Sequence, residues 1–186
     1  RWPLRLRRVE RALTGEGFTL AVVSPEPDGV VSPDVIERAI QPGTVLVSMI
    51  AANAEIGTVQ PVATVGAICR ARGVVFHTDA TQLVGKLPVD VGAMGVDLLA
   101  LSAHKLYGPK GVGALYVRNG VELEPILFGG GQERGRRPGT LNVPGIVGLG
   151  ATARLRLDEM AAEAAALSLL RDDLWAGIRR RLPDAR

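Results

Sequence analysis

The feature that most constrains the fold is an alternation of short apolar runs with helical patterns. The runs TVLVSMI (44–50), VVFHTDA (74–80) and VDLLALS (96–102) are short and apolar, which is typical of buried strands, and 44–50 is predicted to be buried on both faces. A helical pattern at 32–40 precedes the first run, and another at 61–73 separates the first two. The pattern at 32–40 has Ser at the N-cap and Pro at the first helical position. This alternation predicts an α/β domain with a mostly parallel sheet.

Further elements flank this unit. The sequence predicts a basic helix at 4–13, strands at 18–24 and 111–119, and a glycine-rich loop at 128–140. From 143 to about 182 the apolar spacing is helical, as one long helix or two in sequence. We therefore predict a partial large domain over 1–142, followed over 143–186 by a linking helix and the start of a small C-terminal domain.

Composition argues against several classes of protein. The 186 residues carry a net charge of +3 and include one cysteine, two histidines and 4% aromatic residues. A disulfide framework, a zinc cluster and a stacking platform for nucleic acid are therefore not expected. The basic clusters near both termini are interpreted as solvated helix faces. Because the sequence has neither a membrane-length apolar run nor a signal core, we expect a cytoplasmic protein with no metal, nucleic-acid or membrane partner.

Polar residues lie at the carboxyl ends of two of the predicted strands. Asp79 lies near the end of the strand at 74–80, and Gln82 follows it. Ser102 ends the strand at 96–102, and His104 and Lys105 follow it. In open α/β sheets, ligands bind beyond the carboxyl ends of the strands, so these side chains are expected to converge on one cleft. The acid and the amine could form a salt bridge, or Lys105 could be a Schiff-base lysine serving pyridoxal phosphate.

Lysine is rare in this chain, which makes its positions informative. Only Lys86, Lys105 and Lys110 occur, whereas arginine supplies the other positive charge. An arginine could not replace a Schiff-base lysine, because a guanidinium stays protonated and cannot form an imine. Lys110 is expected to face solvent or a dimer partner, and Lys86 is given no chemical role.

Four motifs then resemble a known family. The segments NAEIGTVQP, HTDATQ, SAHKLYGPKGVGALYVR and GGGQERGRRPGT, in this order, are similar to those of NifS/IscS-like cysteine desulfurases, within the class V aminotransferases. The resemblance implies the pyridoxal-phosphate transferase fold of type I, with an aspartate-aminotransferase-like large domain. It also implies that this chain is the central segment of a longer enzyme.

The resemblance implies roles at six positions. Lys105 corresponds to the lysine that binds the cofactor covalently, Asp79 to the partner of the pyridinium nitrogen, and Gln82 to the donor to the phenolic oxygen. Ser102 and His104 correspond to phosphate ligands. Thr140 corresponds to a residue that reaches the phosphate of a partner subunit, which implies a symmetric homodimer. His77 shares a sheet face with Asp79, and lining the site or packing remain equally open for it.

The implied reaction converts L-cysteine to L-alanine and passes sulfur to an enzyme cysteine, for iron–sulfur assembly or tRNA thiolation through an acceptor such as a scaffold protein. The nucleophilic cysteine would lie beyond Arg186. Cys69, inside a predicted helix, is interpreted as a buried thiol. A selenocysteine lyase, another class V enzyme and a non-catalytic structural or partner-binding module remain alternatives. The sequence also departs from the family, because Ala54 stands where a second asparagine usually donates to the cofactor's phenolic oxygen.

Overall fold

A computed structural model describes residues 4–185 and has a four-stranded open sheet at its centre. The strands are β1 (Leu46–Ile50), β2 (Val75–Asp79), β3 (Leu98–Ser102) and β4 (Gly113–Val117), in the spatial order β1-β2-β3-β4. The first three are mutually parallel, and β4 runs antiparallel to β3. The predicted mostly parallel α/β sheet is confirmed.

The described residues also form four α-helices and two short 3₁₀ turns. The helices are α1 (Leu4–Gly15), α2 (Pro33–Ala39), α3 (Val62–Arg72) and α4 (Val143–Arg181). The 3₁₀ turns are Ala103–Leu106 and Gln132–Gly135. The helical pattern after 143 forms one helix of 39 residues. Ser32 is the N-cap of α2 as predicted, although its hydroxyl forms no capping hydrogen bond.

The hydrophobic core lies between one face of the sheet and the helices α2 and α3. Phe76 and Thr78 of β2 are fully buried on this face, where Ile36 of α2 and Val65 of α3 belong to the same core. Because side chains alternate along a strand, His77 and Asp79 lie on the opposite face. The helices thus fill one face and leave the other to carry polar side chains.

Two sequence predictions are corrected here. Residues 18–24 form no strand, and Phe18, Leu20 and Val22 are 37–49% exposed. An apolar run becomes a strand only when a neighbour accepts its backbone hydrogen bonds, and the sheet contains no partner for this segment. The strand β1 is not buried on both faces, because it is an edge strand whose Leu46 and Ile50 are more than 40% exposed.

The basic clusters agree with the predicted solvated faces where side chains are described. Arg11 on α1 and Arg179, Arg180 and Arg181 on α4 are exposed. Arg1 lies outside the described residues. Across residues 4–185, no helix combines the length and apolar character that a bilayer span would need.

Candidate functional site

The carboxyl ends of β2 and β3 bring Asp79 and Ser102 to one edge and one face of the sheet. These strands are parallel, and Asp79 is in register with Ala100. Ser102 is two residues after Ala100 and therefore lies on the same face as Asp79. An acid and a hydroxyl thus meet at this edge, which is called the polar edge below.

His77 continues this polar face towards β1. Its Nδ1 lies 2.8 Å from Ser48 Oγ, in register across the parallel pair. Burial lowers the pKa of His77 from its ordinary value of 6.5, and the Asp79 carboxylate opposes this by raising it. The His77 ring therefore packs in the sheet and lies on the same face as Asp79, while a role in lining a ligand site stays a prediction.

The 3₁₀ turn Ala103–Leu106 presents His104 and Lys105 at the polar edge. Its first and last residues, Ala103 and Leu106, are buried, whereas His104 and Lys105 between them are exposed. Tyr107 closes the turn with a left-handed φ of 67°, and Gly108 N donates to Ala103 O at 2.9 Å. The buried ends fix the backbone, so the two polar side chains are directed outwards.

Ser102 and His104 are paired with each other. Ser102 Oγ lies 2.8 Å from His104 Nδ1. This contact orients the imidazole and leaves its Nε2 without a hydrogen-bond partner in the part of the chain that the structure describes. The pair offers adjoining polar groups at a strand end, as an anion site requires.

Asp79 and Lys105 do not pair with each other. Asp79 Oδ1 accepts a hydrogen bond from Thr81 N at 2.9 Å, so one oxygen does stabilise the following turn. Within residues 4–185, neither the Asp79 carboxylate nor the Lys105 ammonium forms a salt bridge. The salt-bridge alternative is therefore not what the structure contains, and both groups keep capacity for a ligand.

Lys86 joins this group of residues, although the sequence analysis gave it no role. Its Nζ donates to Gln82 Oε1 at 2.6 Å. Burial lowers the pKa of Lys86, and the positive charge of Lys105 lowers it further. The spacing of four residues and the scarcity of lysine were the available signals, but only the fold of the 80–87 loop brings Lys86 to Gln82.

The segment at 53–56 follows β1 and forms a turn that is held by hydrogen bonds within the segment. Asn53 Oδ1 accepts hydrogen bonds from Glu55 N at 2.8 Å and Ile56 N at 3.3 Å. Ala54 is exposed on this turn and has only a methyl group. No side-chain amide therefore extends from position 54.

Thr140 and Cys69 take no part in the described hydrogen bonds of the polar edge. Thr140 is exposed in the loop before α4 and forms no hydrogen bond with the other five predicted site residues. Cys69 is fully buried in α3, and burial, with a contribution from Asp97, raises the pKa of its thiol from 9.0 to about 11. The prediction that Cys69 is a buried thiol is confirmed.

Arg156 on α4 ties together the two loops that carry the polar edge. The side chain is 7% exposed, and its Nε donates to Gly85 O at 2.9 Å. It forms a salt bridge with Glu163, and its guanidinium lies 5.3 Å from the ring centroid of Tyr107. Tyr107 Oη in turn donates to Glu163 at 3.1 Å. The loops after β2 and β3 are thereby held against one helix.

This fold and this edge define a class of protein. The chain belongs to the class-V aminotransferase family, which matches residues 8–177. Its members are pyridoxal-phosphate enzymes, and the fold is that of part of a type I pyridoxal-phosphate enzyme. The resemblance drawn from the motifs is confirmed. Residues 4–185 hold no cluster of three or more His, Cys, Asp or Glu side chains that could bind a metal ion.

Particular relatives are similar over most of the chain. The cysteine desulfurase IscS of Pectobacterium atrosepticum is 51% identical over 170 residues, covering 90% of this chain and 42% of the relative. A solved NifS-like protein has a TM-score of 0.89 at 40% identity, covering 94% of this chain and 48% of that one. A structure titled SspA in complex with cysteine has a TM-score of 0.77 at 44% identity, over 80% and 43%. The chain thus spans less than half the length of these relatives.

Proposed function

We propose that this chain is the cofactor-binding part of a cysteine desulfurase, an enzyme that converts L-cysteine to L-alanine and transfers the sulfur to one of its own cysteines. The observation that carries the proposal is the shared carboxyl edge of β2 and β3, where an acid, an amine, a hydroxyl and an imidazole occur together. The names of the relatives support cysteine as the substrate. Cys69 is not the sulfur-accepting residue, because its thiol is buried and remains protonated at neutral pH.

The donor set at the polar edge fits pyridoxal phosphate. When bound, this cofactor supplies an electron sink for negative charge at the substrate Cα. The Asp79 carboxylate would hold the proton on the ring nitrogen, with Oδ2 free for this contact while Oδ1 bonds Thr81 N. Gln82 would donate to the phenolic oxygen. The Lys105 amine would bond to the cofactor aldehyde and then move protons at the substrate Cα.

The remaining predicted residues would hold the phosphate. Ser102 and His104 would donate to it from the end of β3, and their mutual hydrogen bond keeps both groups at that end. Thr140 would reach the phosphate of a partner subunit in a symmetric homodimer. We further propose that residues 1–142 form part of the large domain, that 143–186 lead into a small domain, and that the enzyme is cytoplasmic and donates sulfur to an acceptor protein.

Turnover of the full-length enzyme tests this function. Incubation with pyridoxal phosphate, L-cysteine and a thiol reductant should yield L-alanine and sulfide in equal amounts. Lys105→Ala should lower this turnover by at least about a thousandfold, because it removes the group that forms the covalent bond and moves the proton. Release of alanine at an undiminished rate from Lys105→Ala, or no turnover of L-cysteine by the unsubstituted enzyme, would contradict the proposal.

A further inference from the structure

We infer that Lys86 is a positioning residue, which fixes the orientation of the Gln82 side-chain amide so that its NH₂ group is presented to the cofactor. The inference rests on the proposed function, in which Gln82 donates to the phenolic oxygen. Its structural basis is the hydrogen bond of 2.6 Å between Lys86 Nζ and Gln82 Oε1.

The direction of this hydrogen bond determines which end of the amide is free. A lysine ammonium has three donors and no acceptor, so the Gln82 atom that faces it has to be the oxygen. The two ends of a glutamine amide otherwise differ little in shape, and either end could face a ligand. With Oε1 held by Lys86, Nε2 is directed away and keeps both protons available. In the described part of the chain, Nε2 donates to no protein group.

The orientation matters because the proposed acceptor is an oxygen. An amide that presented Oε1 would place an acceptor against an electron-rich phenolic oxygen, which is repulsive, whereas Nε2 forms a hydrogen bond. Position 54 provides no second donor, since Ala54 has only a methyl group. Gln82 is therefore the side-chain amide proposed for this oxygen, and its orientation has a larger effect than it would with an asparagine at position 54.

The electrostatic environment of Lys86 agrees with a role at the site. Burial lowers the pKa of Lys86, and proximity to the Lys105 charge lowers it further. Lys86 and Lys110 are both exposed. They differ in their contacts, because Lys86 bonds Gln82 whereas Lys110 forms no hydrogen bond or salt bridge with residues 4–185. Substitution of Lys110 is therefore a matched control for substitution of Lys86.

The first test needs no cofactor. In the cofactor-free full-length protein, the side-chain NH₂ resonances of Gln82, assigned by their loss in Gln82→Ala, are compared by NMR among three variants. Lys86→Met should move these resonances because it removes the donor to Oε1. Lys86→Arg, which keeps a cationic donor, and Lys110→Met should leave them near their original positions. Unchanged Gln82 resonances in Lys86→Met would overturn the inference.

The second test follows the pH midpoint of the visible absorbance band in the cofactor-loaded protein. Losing a donor makes the phenolic oxygen more basic, so it holds the proton that it shares with the Lys105 nitrogen more tightly. Lys86→Met should therefore raise the midpoint by about 0.4 to 1 pH unit and weaken cofactor binding by about two- to tenfold. Lys86→Arg should restore both values, and Lys110→Met should change neither.

A double substitution distinguishes positioning from a general charge effect. If Lys86 acts through Gln82, Lys86→Met should shift the midpoint no further in a Gln82→Ala background. An equal further shift in that background would overturn the inference and leave the proposed function intact. If the unsubstituted protein shows no visible band, the proposed function is contradicted, and so is the cofactor-directed role of Lys86. The NMR comparison still tests the contact between Lys86 and Gln82 separately.

Discussion

At the residue scale, the polar edge depends on which face of its strand each side chain occupies. His77, Asp79 and Ser102 share a face of the sheet. His77 lies two residues before Asp79 on β2, and Ser102 lies two residues after Ala100, the residue of β3 that pairs with Asp79. The opposite face carries the buried Phe76 and Thr78. A shift of one residue in the register of β2 would exchange these two sets, so the core that fixes Phe76 also fixes Asp79.

His77 should titrate below its ordinary pKa of 6.5 in the cofactor-free protein, because burial disfavours the charged ring. The sign for stability follows from this direction. As the pH falls through 6.5, the unfolded chain binds a proton that the folded chain does not, so the free energy of unfolding decreases. Between the two pKa values the decrease is about 1.4 kcal/mol per pH unit. An NMR titration of the ring measures the midpoint.

Asp79→Asn provides the control for this titration. The Asp79 carboxylate raises the pKa of His77 against the effect of burial. Its removal should therefore move the His77 midpoint still lower. A midpoint at or above 6.5 in the unsubstituted protein, or an upward movement in Asp79→Asn, would be inconsistent with the described packing.

Ala54→Asn should strengthen cofactor binding by about two- to tenfold, since it adds one hydrogen bond to the phenolic oxygen. It should also lower the pH midpoint of the visible band, the opposite direction from Lys86→Met. Ala54→Leu is the matched control, because it adds volume at the same exposed position without a donor. Equal cofactor affinity and equal midpoints in all three proteins would show that position 54 does not reach the cofactor.

At the element scale, α4 acts on the polar edge through Arg156. This side chain bonds Gly85 O beyond β2 and lies over Tyr107 beyond β3, with Glu163 as its counterion. Sequence periodicity predicted the helix but could not predict this contact. The contact depends on Gly85, where a Cβ atom would overlap Leu106 and approach Arg156.

Arg156→Leu should lower the free energy of unfolding by about 2 kcal/mol, because it leaves Glu163 without its cation and Gly85 O without its donor. Glu163 is partly exposed, which keeps the loss below that of a fully buried pair. Arg154→Leu, at an exposed position on the same helix, should change stability by less than about 0.5 kcal/mol. Urea denaturation measures both, and equal losses would contradict the proposed role of Arg156 as a tie.

The contact between α3 and the loop at 90–95 depends on a glycine. A Cβ atom at Gly66 would overlap the Met94 carbonyl oxygen, so Gly66→Ala should lower the free energy of unfolding by about 1–3 kcal/mol. Gly150→Ala on α4 has open space around it and should raise stability by up to about 1 kcal/mol. Thermal unfolding of the two variants should therefore shift in opposite directions, and a shift of the same sign would refute this account of the α3 contact.

At the scale of the whole molecule, most elements followed from the sequence, and the exceptions have one physical origin. The helices α2 and α3 and the strands β2 to β4 were predicted within about two residues, because their apolar spacing and glycine stops are local signals. The predicted strand at 18–24 and the predicted burial of β1 on both faces were wrong, because strand formation and burial depend on neighbours that no local pattern encodes. The contacts of Lys86 and Arg156 were missed for the same reason.

The roles proposed for the six site residues came from motif resemblance, whereas the geometry of the polar edge came from the fold. Parallel pairing of β2 and β3 could be inferred from the alternation of elements, and it brings Asp79 and Ser102 to one edge. The pairing of Ser102 with His104 could not be inferred, since it depends on the conformation of the 3₁₀ turn.

The central claim is that Lys105, among three lysines, binds the aldehyde of pyridoxal phosphate. Borohydride reduction of the cofactor-loaded protein, followed by peptide mass spectrometry, tests this most directly. The account predicts that the phosphopyridoxyl mass is found on the peptide containing Lys105 and is absent from the Lys105→Ala protein. The same mass on Lys86 or Lys110 in place of Lys105, or on no lysine at all, would contradict it.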